Sequence, residues 1–236
     1  MELSERGEDL ILSTPDPAIP NVVGYRRLLV GLDIAQARDK TAFAIIHDER
    51  VPGFDGDGRP ILGKRTRQIV NAKQLPAMSY DDLAQVVRNL MRDPALAGRA
   101  HLVVDSSGVG RAFCDILNTK SVQHTRVTMT SGGNESEQKE RGVTFNNVGR
   151  NRLLQALNSA FHVGDLTIAN FPERDILQQE LESFEAEITA SGNMKIDGGT
   201  KFGHADIAIS ASLALWLSDH RSIGAHVGQS KLRGMW

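Results

Sequence analysis

Short apolar runs alternate with polar turns along most of the chain, and the first well-defined run organises the rest. Residues 27–35 read RLLVGLDIA, an aliphatic stretch that contains a single carboxylate, Asp33. Its shortness, its aliphatic character and the polar turn after it predict a β-strand. A period of two places Leu29, Gly31, Asp33 and Ala35 on one face and the other aliphatic residues on the opposite face. Both faces are apolar, which is typical of a central strand covered on both sides.

An ionised carboxylate on such a strand is costly unless a positive group meets it. Gly31 and Ala35 flank Asp33 on its own face and leave space beside it. A bound metal ion would explain both the charge and the space. The alternative is an aspartate at a strand end that bonds to a neighbouring loop, and the strand alone does not decide between the two.

The spacing of the apolar runs predicts a mixed α/β sheet. Strands are predicted at 27–35, 41–46, 64–73, 101–105 and 125–129. The first three are joined by turns and predict an antiparallel meander. Helices separate the later strands, so these should be parallel with right-handed crossovers. The resulting strand order is 3-2-1-4-5, with helices on both faces, and it places Asp33 and Asp105 on adjacent strands near the same end.

The remaining pattern predicts the other elements and the domain limits. Residues 52–63 are predicted as a loop and the polar residues 131–142 as a mobile segment. Helices are predicted around Leu153 and after Pro172, with a short strand at 166–168 between them, an added C-terminal hairpin within 185–196 and a last helix from Ala205. We interpret 1–24 as a leader or linker remnant, 25–220 as one globular domain and 221–236 as a flexible tail.

Composition narrows the functional classes. The chain has 236 residues, of which 40% are hydrophobic and 24% charged, which suits one domain with a substantial core. A net charge of −2 argues against coating nucleic acid by bulk charge but permits local contacts with it. The single Cys114 excludes a disulfide framework within the chain and suits a reducing cytoplasm. No apolar run approaches the length of a membrane span, and no secretory signal pattern is present.

Two further carboxylates join Asp33 as candidates. Asp105 ends the fourth strand, where Gly108 and Gly110 could instead form a phosphate-binding turn, although a lone Gly-x-Gly is weak evidence. Asp206 opens the last helix, where an aspartate is usually a cap or a partner of the helix dipole. Together the three acids suggest a site for divalent cations, because hard cations prefer oxygen ligands and two of them can promote phosphoryl displacement.

Four segments carry a resemblance to a known family. They are Leu32-Asp33 with the hairpin to Ile46; Val103-Val104-Asp105 with Gly108-Val109-Gly110; the helix of Arg152 to Leu157 with the strand Leu166-Thr167-Ile168; and Gly203-His204-Ala205-Asp206 before an Ala/Leu-rich helix. In this order and spacing, the chain resembles the nuclease domain of the large terminase subunit of tailed bacteriophages, a member of the ribonuclease H-like superfamily. The resemblance covers about residues 27–218.

The resemblance implies a metal-dependent endonuclease that cleaves double-stranded phage DNA during genome packaging. Asp33, Asp105 and Asp206 would hold one or two Mg²⁺ or Mn²⁺ ions for a two-metal-ion hydrolysis. The implied partners are DNA, an ATPase motor domain in the same or a separate chain, the portal and the small terminase subunit, and the implied location is the host cytoplasm, with no membrane contact. Two departures stand out: Ala205 precedes Asp206 where some relatives have a second acid, and the chain has no Gly-x-x-x-x-Gly-Lys-Ser/Thr motif of a motor.

Basic residues provide candidate contacts to DNA phosphates. They are Lys64, Arg65, Arg67, Lys139, Arg141, Arg150 and Arg152. A solvated edge strand explains the first three equally well. Rival functions are another ribonuclease H-like enzyme such as a Holliday-junction resolvase, a sugar-kinase or actin-like ATPase, for which the chain has little room, and a non-catalytic DNA-packaging module.

Overall fold

The computed structural model describes residues 2–16, 18–34, 40–131, 133–188, 194–197 and 205–221. The strands in these ranges are β1 (Glu2–Arg6), β2 (Asp9–Ser13), β3 (Val22–Asp33), β4 (Ala42–Phe54), β5 (Pro60–Gln74), β6 (Ala100–Asp105), β7 (Thr125–Thr130), β8 (Glu135–Glu140), β9 (Val143–Gly149), β10 (Leu166–Ile168), β11 (Glu185–Ile188) and β12 (Met194–Asp197). The helices are α1 (Tyr80–Met91), α2 (Gly110–Thr119), α3 (Arg150–His162), α4 (Arg174–Glu182) and α5 (Asp206–His220).

The central sheet has the strand order that the sequence predicted. The five strands β5-β4-β3-β6-β7 reproduce the order 3-2-1-4-5, with antiparallel pairs on one side of β3 and parallel pairs on the other. The sheet is larger than the predicted five strands. It continues through β10 beside β5 and through β9 and β8 beside β7. β2 pairs with β3 and β1 with β2, so that ten strands are joined within the described residues. The predicted C-terminal hairpin is β11 paired with β12.

Helices cover both faces of this sheet and enclose two cores. One core joins Val30 and Leu32 to residues of α1 and α2, such as Leu83 and Phe113. The other joins Leu29 of the opposite face of β3 to residues of α3, α4 and α5. The predicted alternation along β3 is therefore confirmed, and it assigns Asp33 to the face that α5 covers. None of the helices in the described ranges has the length and apolar character needed to cross a bilayer.

The predicted loop at 52–63 is wrong. β4 runs on to Phe54 and β5 begins at Pro60, and the two strands are joined by a short turn in which Asp55 accepts hydrogen bonds from the backbone nitrogens of Asp57 and Arg59. The glycines and prolines suggested a loop. A register shift between Arg50 and Pro52 accommodates them within the strand pair, because a β-bulge tolerates residues that a regular ladder does not.

The predicted mobile segment at 131–142 is also different in the structure. It contains β8, which pairs antiparallel with β9 along the outer side of the sheet. Its charged, exposed residues suit an edge strand, where charge discourages pairing with other chains. Glu135 connects the strand to α5, because its carboxylate accepts a hydrogen bond from Trp216 Nε1 at 2.9 Å and pairs with His220 at 2.7 Å.

Residues 1–24, which the sequence suggested to be a leader or linker remnant, contain two β-strands. β1 and β2 form an antiparallel hairpin, and β2 pairs with the first residues of β3. Leu10 and Leu12 are buried, and this short alternation of apolar residues is what fixes the hairpin to the domain. Of the predicted tail at 221–236, residues 222–236 lie outside the described residues.

Glu8, between β1 and β2, ties this hairpin to the rest of the domain. Its carboxylate lies 2.7 Å from His101 Nε2 in β6 and 3.1 Å from Arg221 Nη2 after α5. The hydrogen bond from His101 is the main reason why the pKa of Glu8 falls to about 2, despite the opposing effect of burial.

We expect Glu8→Gln to change how stability depends on pH. The pKa of Glu8 is depressed in the folded state, so its contribution is present above the unfolded value and is lost as the pH falls towards about 2. The variant should lose about 2–3 kcal/mol at pH 6 relative to the wild type, and the difference should vanish near pH 2. Urea unfolding of both proteins between pH 2 and pH 6 measures this difference in the free energy of unfolding. A difference that does not change with pH would contradict the lowered pKa of Glu8.

Candidate metal centre

Asp33 and Asp105 end two neighbouring parallel strands. β3 and β6 are paired in register up to Leu32 opposite Val104, so the next position of each strand brings Asp33 level with Asp105. Val103 belongs to the core under α5, and a period of two gives Asp105 the same face. The two carboxylates therefore share one end and one face of the sheet, as the predicted strand order requires.

Helix α5 approaches this end of the sheet unusually closely. A Cβ atom added to Gly31 would overlap the carbonyl oxygen of Ser210 and lie 2.8 Å from the nitrogen of Ala214. The Ser210 hydroxyl also donates to the carbonyl oxygen of Ala42, the residue paired with Asp33. Asp206 lies one turn before Ser210 on the same helix and is therefore directed to the end of the sheet that carries the two aspartates.

The electrostatics of Asp33 reflect this arrangement. Burial is the largest cause that raises the pKa of Asp33 well above its usual value, and the charges of Asp105 and Asp206 raise it further. Arg150, at the start of α3, acts in the opposite direction. The pKa of Asp105 is also raised by burial, although the backbone nitrogen of Ser107 donates to its Oδ1 at 2.8 Å. Ionised together, these groups require positive charge beside them.

A fourth carboxylate, Glu180 of α4, was not predicted from the sequence. It is only 3% exposed, and its Oε2 accepts a hydrogen bond from the backbone nitrogen of Ala208 at 2.8 Å. Burial, together with the charge of Asp206, raises its pKa to about 7. The signal was present in the sequence, because Glu180 lies on the same helical stripe as Leu177 and Leu181, where an apolar residue is expected.

The carboxylate groups at this end of the sheet are chemically suited to bind a hard divalent cation. Carboxylate oxygens are the ligands that Mg²⁺ and Mn²⁺ prefer. A cation would also stabilise the ionised forms of Asp33, Asp105 and Asp206, which we call the acid cluster. Within the described residues, however, no three His, Cys, Asp or Glu side chains are grouped so that they could hold a metal ion directly. Mg²⁺ commonly binds to one or two protein carboxylates and keeps several water ligands. The residues present therefore fit such an ion, with water supplying the remaining ligands.

The close packing at Gly31 gives a testable consequence. We expect Gly31→Ala to push α5 away from the sheet, because the clash is with helix backbone that cannot rotate aside. Overpacking of this kind typically costs about 1–3 kcal/mol, and it should also displace Asp206. Gly53→Ala is the matched control, since a Cβ there has nothing within 4 Å. Thermal unfolding of both variants measures the effect, and equal melting temperatures would contradict the close approach.

The seven residues predicted to contact phosphates fall into four groups. Arg150 lies near enough to Asp33 for its positive charge to lower the pKa of that carboxyl. Lys64, Lys139 and Arg141 are exposed to solvent. Arg152 pairs with Glu135 at 3.0 Å while remaining 56% exposed.

Arg65 and Arg67 are engaged inside the protein. Arg65 makes two hydrogen bonds to the fully buried Asp48, and Arg67, only 7% exposed, pairs with Asp165 and Asp219. The alternation of basic residues along β5 suggested a surface for DNA. In the structure both side chains join the sheet to the end of α5.

The order of the central strands, with helices on both faces of the sheet, is that of the ribonuclease H-like class of folds. No protein-family model and no curated protein matches the chain. Among solved structures, the fold is that of large terminase nuclease domains. The large terminase nuclease from thermophilic phage G20c with bound magnesium has 21% identity, covers 91% of this chain and 89% of its own, and gives a TM-score of 0.55.

The Thermus phage P74-26 large terminase nuclease domain gives the same TM-score of 0.55, with 19% identity over 92% of this chain and 89% of that chain. The resemblance predicted from the sequence is thereby confirmed at the level of the fold. Within the motifs that carried it, Gly203 and His204 lie outside the described residues.

Proposed function

We propose that this chain is a metal-dependent endonuclease that cleaves double-stranded DNA during the packaging of a phage genome. The observation that supports the proposal is that Asp33 and Asp105 end neighbouring parallel strands and that the charge of Asp206, at the start of α5, acts on Asp33. Burying several like charges together costs stability unless a cation compensates, and a bound metal ion would be such a cation. The likeness of the fold to nuclease domains, one of them with bound magnesium, supports the same class of reaction.

In this proposal Asp33, Asp105 and Asp206 hold one or two Mg²⁺ or Mn²⁺ ions. Such ions, when bound, supply a nucleophile from water at neutral pH and stabilise the leaving oxygen of the phosphodiester. The protein's own contribution is to fix the three carboxylates on rigid elements. β3 and β6 are paired in register, and α5 is locked to them at Gly31 and Ala42. Sites built on helices and strands hold such geometry better than sites on loops.

Arg150 is the basic residue that we place beside the scissile phosphate. It lies at the first position of α3 and acts electrostatically on Asp33. A guanidinium group there can donate to phosphate oxygens and hold the DNA backbone against the acids. Lys64, Lys139, Arg141 and the exposed part of Arg152 would add weaker contacts, sensitive to salt concentration, that carry no sequence preference.

Glu180 is proposed as a positioning residue for Asp206. Its hydrogen bond to Ala208 holds the first turn of α5, two residues after Asp206. With a pKa of about 7 the carboxyl is partly neutral at physiological pH, so a neutral amide should replace it well.

We therefore expect Glu180→Gln, whose side-chain oxygen can still accept from Ala208, to keep cleavage within about tenfold of the wild type. Glu180→Ala should lose on the order of a hundredfold and need more Mn²⁺ for half-maximal rate. Glu182→Gln, on the exposed side of the same helix, is the control. If glutamine fails to rescue activity, the charge of Glu180 itself is required.

The wider partners belong to the same proposal. A packaging nuclease works with an ATPase motor, in the same or a separate chain, and we propose that this chain does so in the host cytoplasm. The portal and the small terminase subunit are the further partners that a packaging role would require.

The function is tested with a supercoiled plasmid. In Mn²⁺ or Mg²⁺ the protein should nick and linearise it, and an excess of chelator should stop the reaction. A four-way junction assayed beside a linear duplex separates this proposal from a junction resolvase, since we expect no preference for the branched substrate. Absence of metal-dependent cleavage by a well-folded protein would refute the proposal.

A further inference from the structure

A polar cavity of about 380 Å³ lies at the opposite end of the sheet from the acids. It opens where β6 begins, among the last turn of α1, the segment between α2 and β7, and the residue that follows α5. Its basic lining residues are Arg88, Arg92, His101, His124 and Arg221. His101 and Asp105 lie four residues apart on β6, so roughly 13 Å separates this cavity from the proposed metal centre.

Unsatisfied buried nitrogens are concentrated in the residues of this cavity. Within the described part of the chain, four buried side-chain nitrogen or oxygen atoms have no hydrogen-bond partner, and three of them are Arg88 Nε, His124 Nε2 and Arg221 Nε. A buried polar group left without a partner costs about 1–3 kcal/mol. Arg88 and Arg221 are guanidinium donors in the lining of the cavity, and an anion bound there would supply acceptors for them, whereas Nε2 of a neutral His124 is itself an acceptor.

The charge of the cavity has the sign that such a ligand requires. Glu8 pairs with His101 and Arg221 and partly neutralises them. Arg88 and Arg92 take part in no ion pair among the residues that the structure describes, so the lining keeps an excess of positive charge. Arginine presents several N–H donors in a planar fork that matches the oxygens of a phosphate.

We propose that this cavity binds a phosphate group, carried either by a free phosphate compound or by the backbone of nucleic acid. Its volume lies at the lower end of the range for small-molecule sites. Arg88 and Arg92 at the end of α1 and Arg221 after α5 contribute guanidinium groups to its lining, and a tetrahedral oxyanion can accept hydrogen bonds from several directions at once. The site does not depend on the proposed nuclease activity.

His124 adds a chemical detail to the site. Its Nδ1 lies 2.9 Å from the carbonyl oxygen of Val122, so Nδ1 carries the proton and Nε2 of the neutral ring is an acceptor. That atom can receive the hydroxyl of a hydrogen phosphate. Burial lowers the pKa of His124, and an anion in the cavity would favour the protonated ring, in which Nε2 becomes a third donor.

The test is thermal unfolding with inorganic phosphate, in chelator so that no metal can bind phosphate at the acid cluster. About 10 mM phosphate should raise the melting temperature of the wild type by a few degrees Celsius relative to chloride at equal ionic strength. Arg88→Gln should lose this shift, with an affinity at least about tenfold weaker, while its unliganded stability is retained. Arg59→Gln, at the exposed turn between β4 and β5, is the matched control and should keep the shift.

The source of the phosphate is distinguished in the same assay. If a short duplex competes with phosphate for the Arg88-dependent shift, the cavity takes a phosphodiester of nucleic acid. If a deoxynucleoside monophosphate competes and the duplex does not, it takes a free phosphate compound. No shift in the wild type, or an equal shift in Arg88→Gln, would overturn the proposal, and circular dichroism of the variant verifies that it is folded.

Discussion

Asp33→Asn should abolish DNA cleavage and at the same time stabilise the fold at neutral pH. The substitution keeps the shape of the side chain but removes a negative charge from the acid cluster. A metal ligand lost from a phosphoryl-transfer site costs several kcal/mol of transition-state stabilisation, so cleavage should fall on the order of a thousandfold or more. Plasmid cleavage and thermal unfolding of the same preparation measure the two effects.

The gain in stability follows from the pKa of Asp33. Burial and the charges of Asp105 and Asp206 raise that pKa, so the ionised form destabilises the folded state at neutral pH. Asparagine carries no charge, so the substitution removes the buried ionised group that destabilises the folded state. Opposite signs for activity and stability distinguish a functional acid from a structural one, whose loss would lower both.

The control for this experiment is Asp81→Asn, an exposed residue in the first turn of α1 that pairs with Lys120. It should leave cleavage unchanged. A well-folded Asp33→Asn protein that cleaves at the wild-type rate would contradict the proposed chemistry.

Asp48→Ala should have the largest effect on stability. Asp48 is fully buried and accepts hydrogen bonds from both Arg27 and Arg65, and each of these arginines also donates to the carbonyl oxygen of Ser218 near the end of α5. Removing the carboxylate would leave the guanidinium of Arg27, only 3% exposed, as an uncompensated buried charge. Such a loss typically costs about 3–5 kcal/mol.

For a domain of this size, that loss corresponds to a fall in melting temperature of about 10–15 °C. Asp57→Ala is the matched control, because its ion pair with Arg59 is exposed and should contribute less than about 1 kcal/mol. Equal effects of the two substitutions would show that the Asp48 cluster is not a structural anchor of α5.

The core of the fold was predictable from the sequence because local patterns determine it. The alternation along β3 and the turns and crossovers around it allowed few arrangements of the five central strands, and these already brought Asp33 beside Asp105. The outer strands were missed for physical reasons. β8 is an exposed edge strand of charged residues, and β4 and β5 extend through glycines and prolines by a bulge; neither leaves an apolar pattern in the sequence.

The candidate site was only partly predictable. The direction of Asp206 depends on how closely α5 lies on Gly31, and the role of Glu180 depends on how α4 packs beside α5; both are tertiary contacts. Arg65 and Arg67 were predicted either to contact DNA phosphates or to lie on a solvated edge strand. The alternating basic pattern is the same in both cases, and also when the charges pair with carboxylates inside the protein. Asp48, the partner of Arg65, lies on a different strand, and only the register of β4 with β5 brings these two side chains together.

The most direct test of the central claim is a crystal structure of the protein soaked in Mn²⁺, with anomalous scattering used to locate the ions. We expect one or two anomalous peaks among Asp33, Asp105 and Asp206, with oxygen ligands at about 2.0–2.6 Å. We also expect that Asp33→Asn, soaked in the same way, loses at least one of them. Manganese bound elsewhere, with no peak at the ends of β3 and β6, would contradict the proposal that these aspartates form the metal centre of a nuclease.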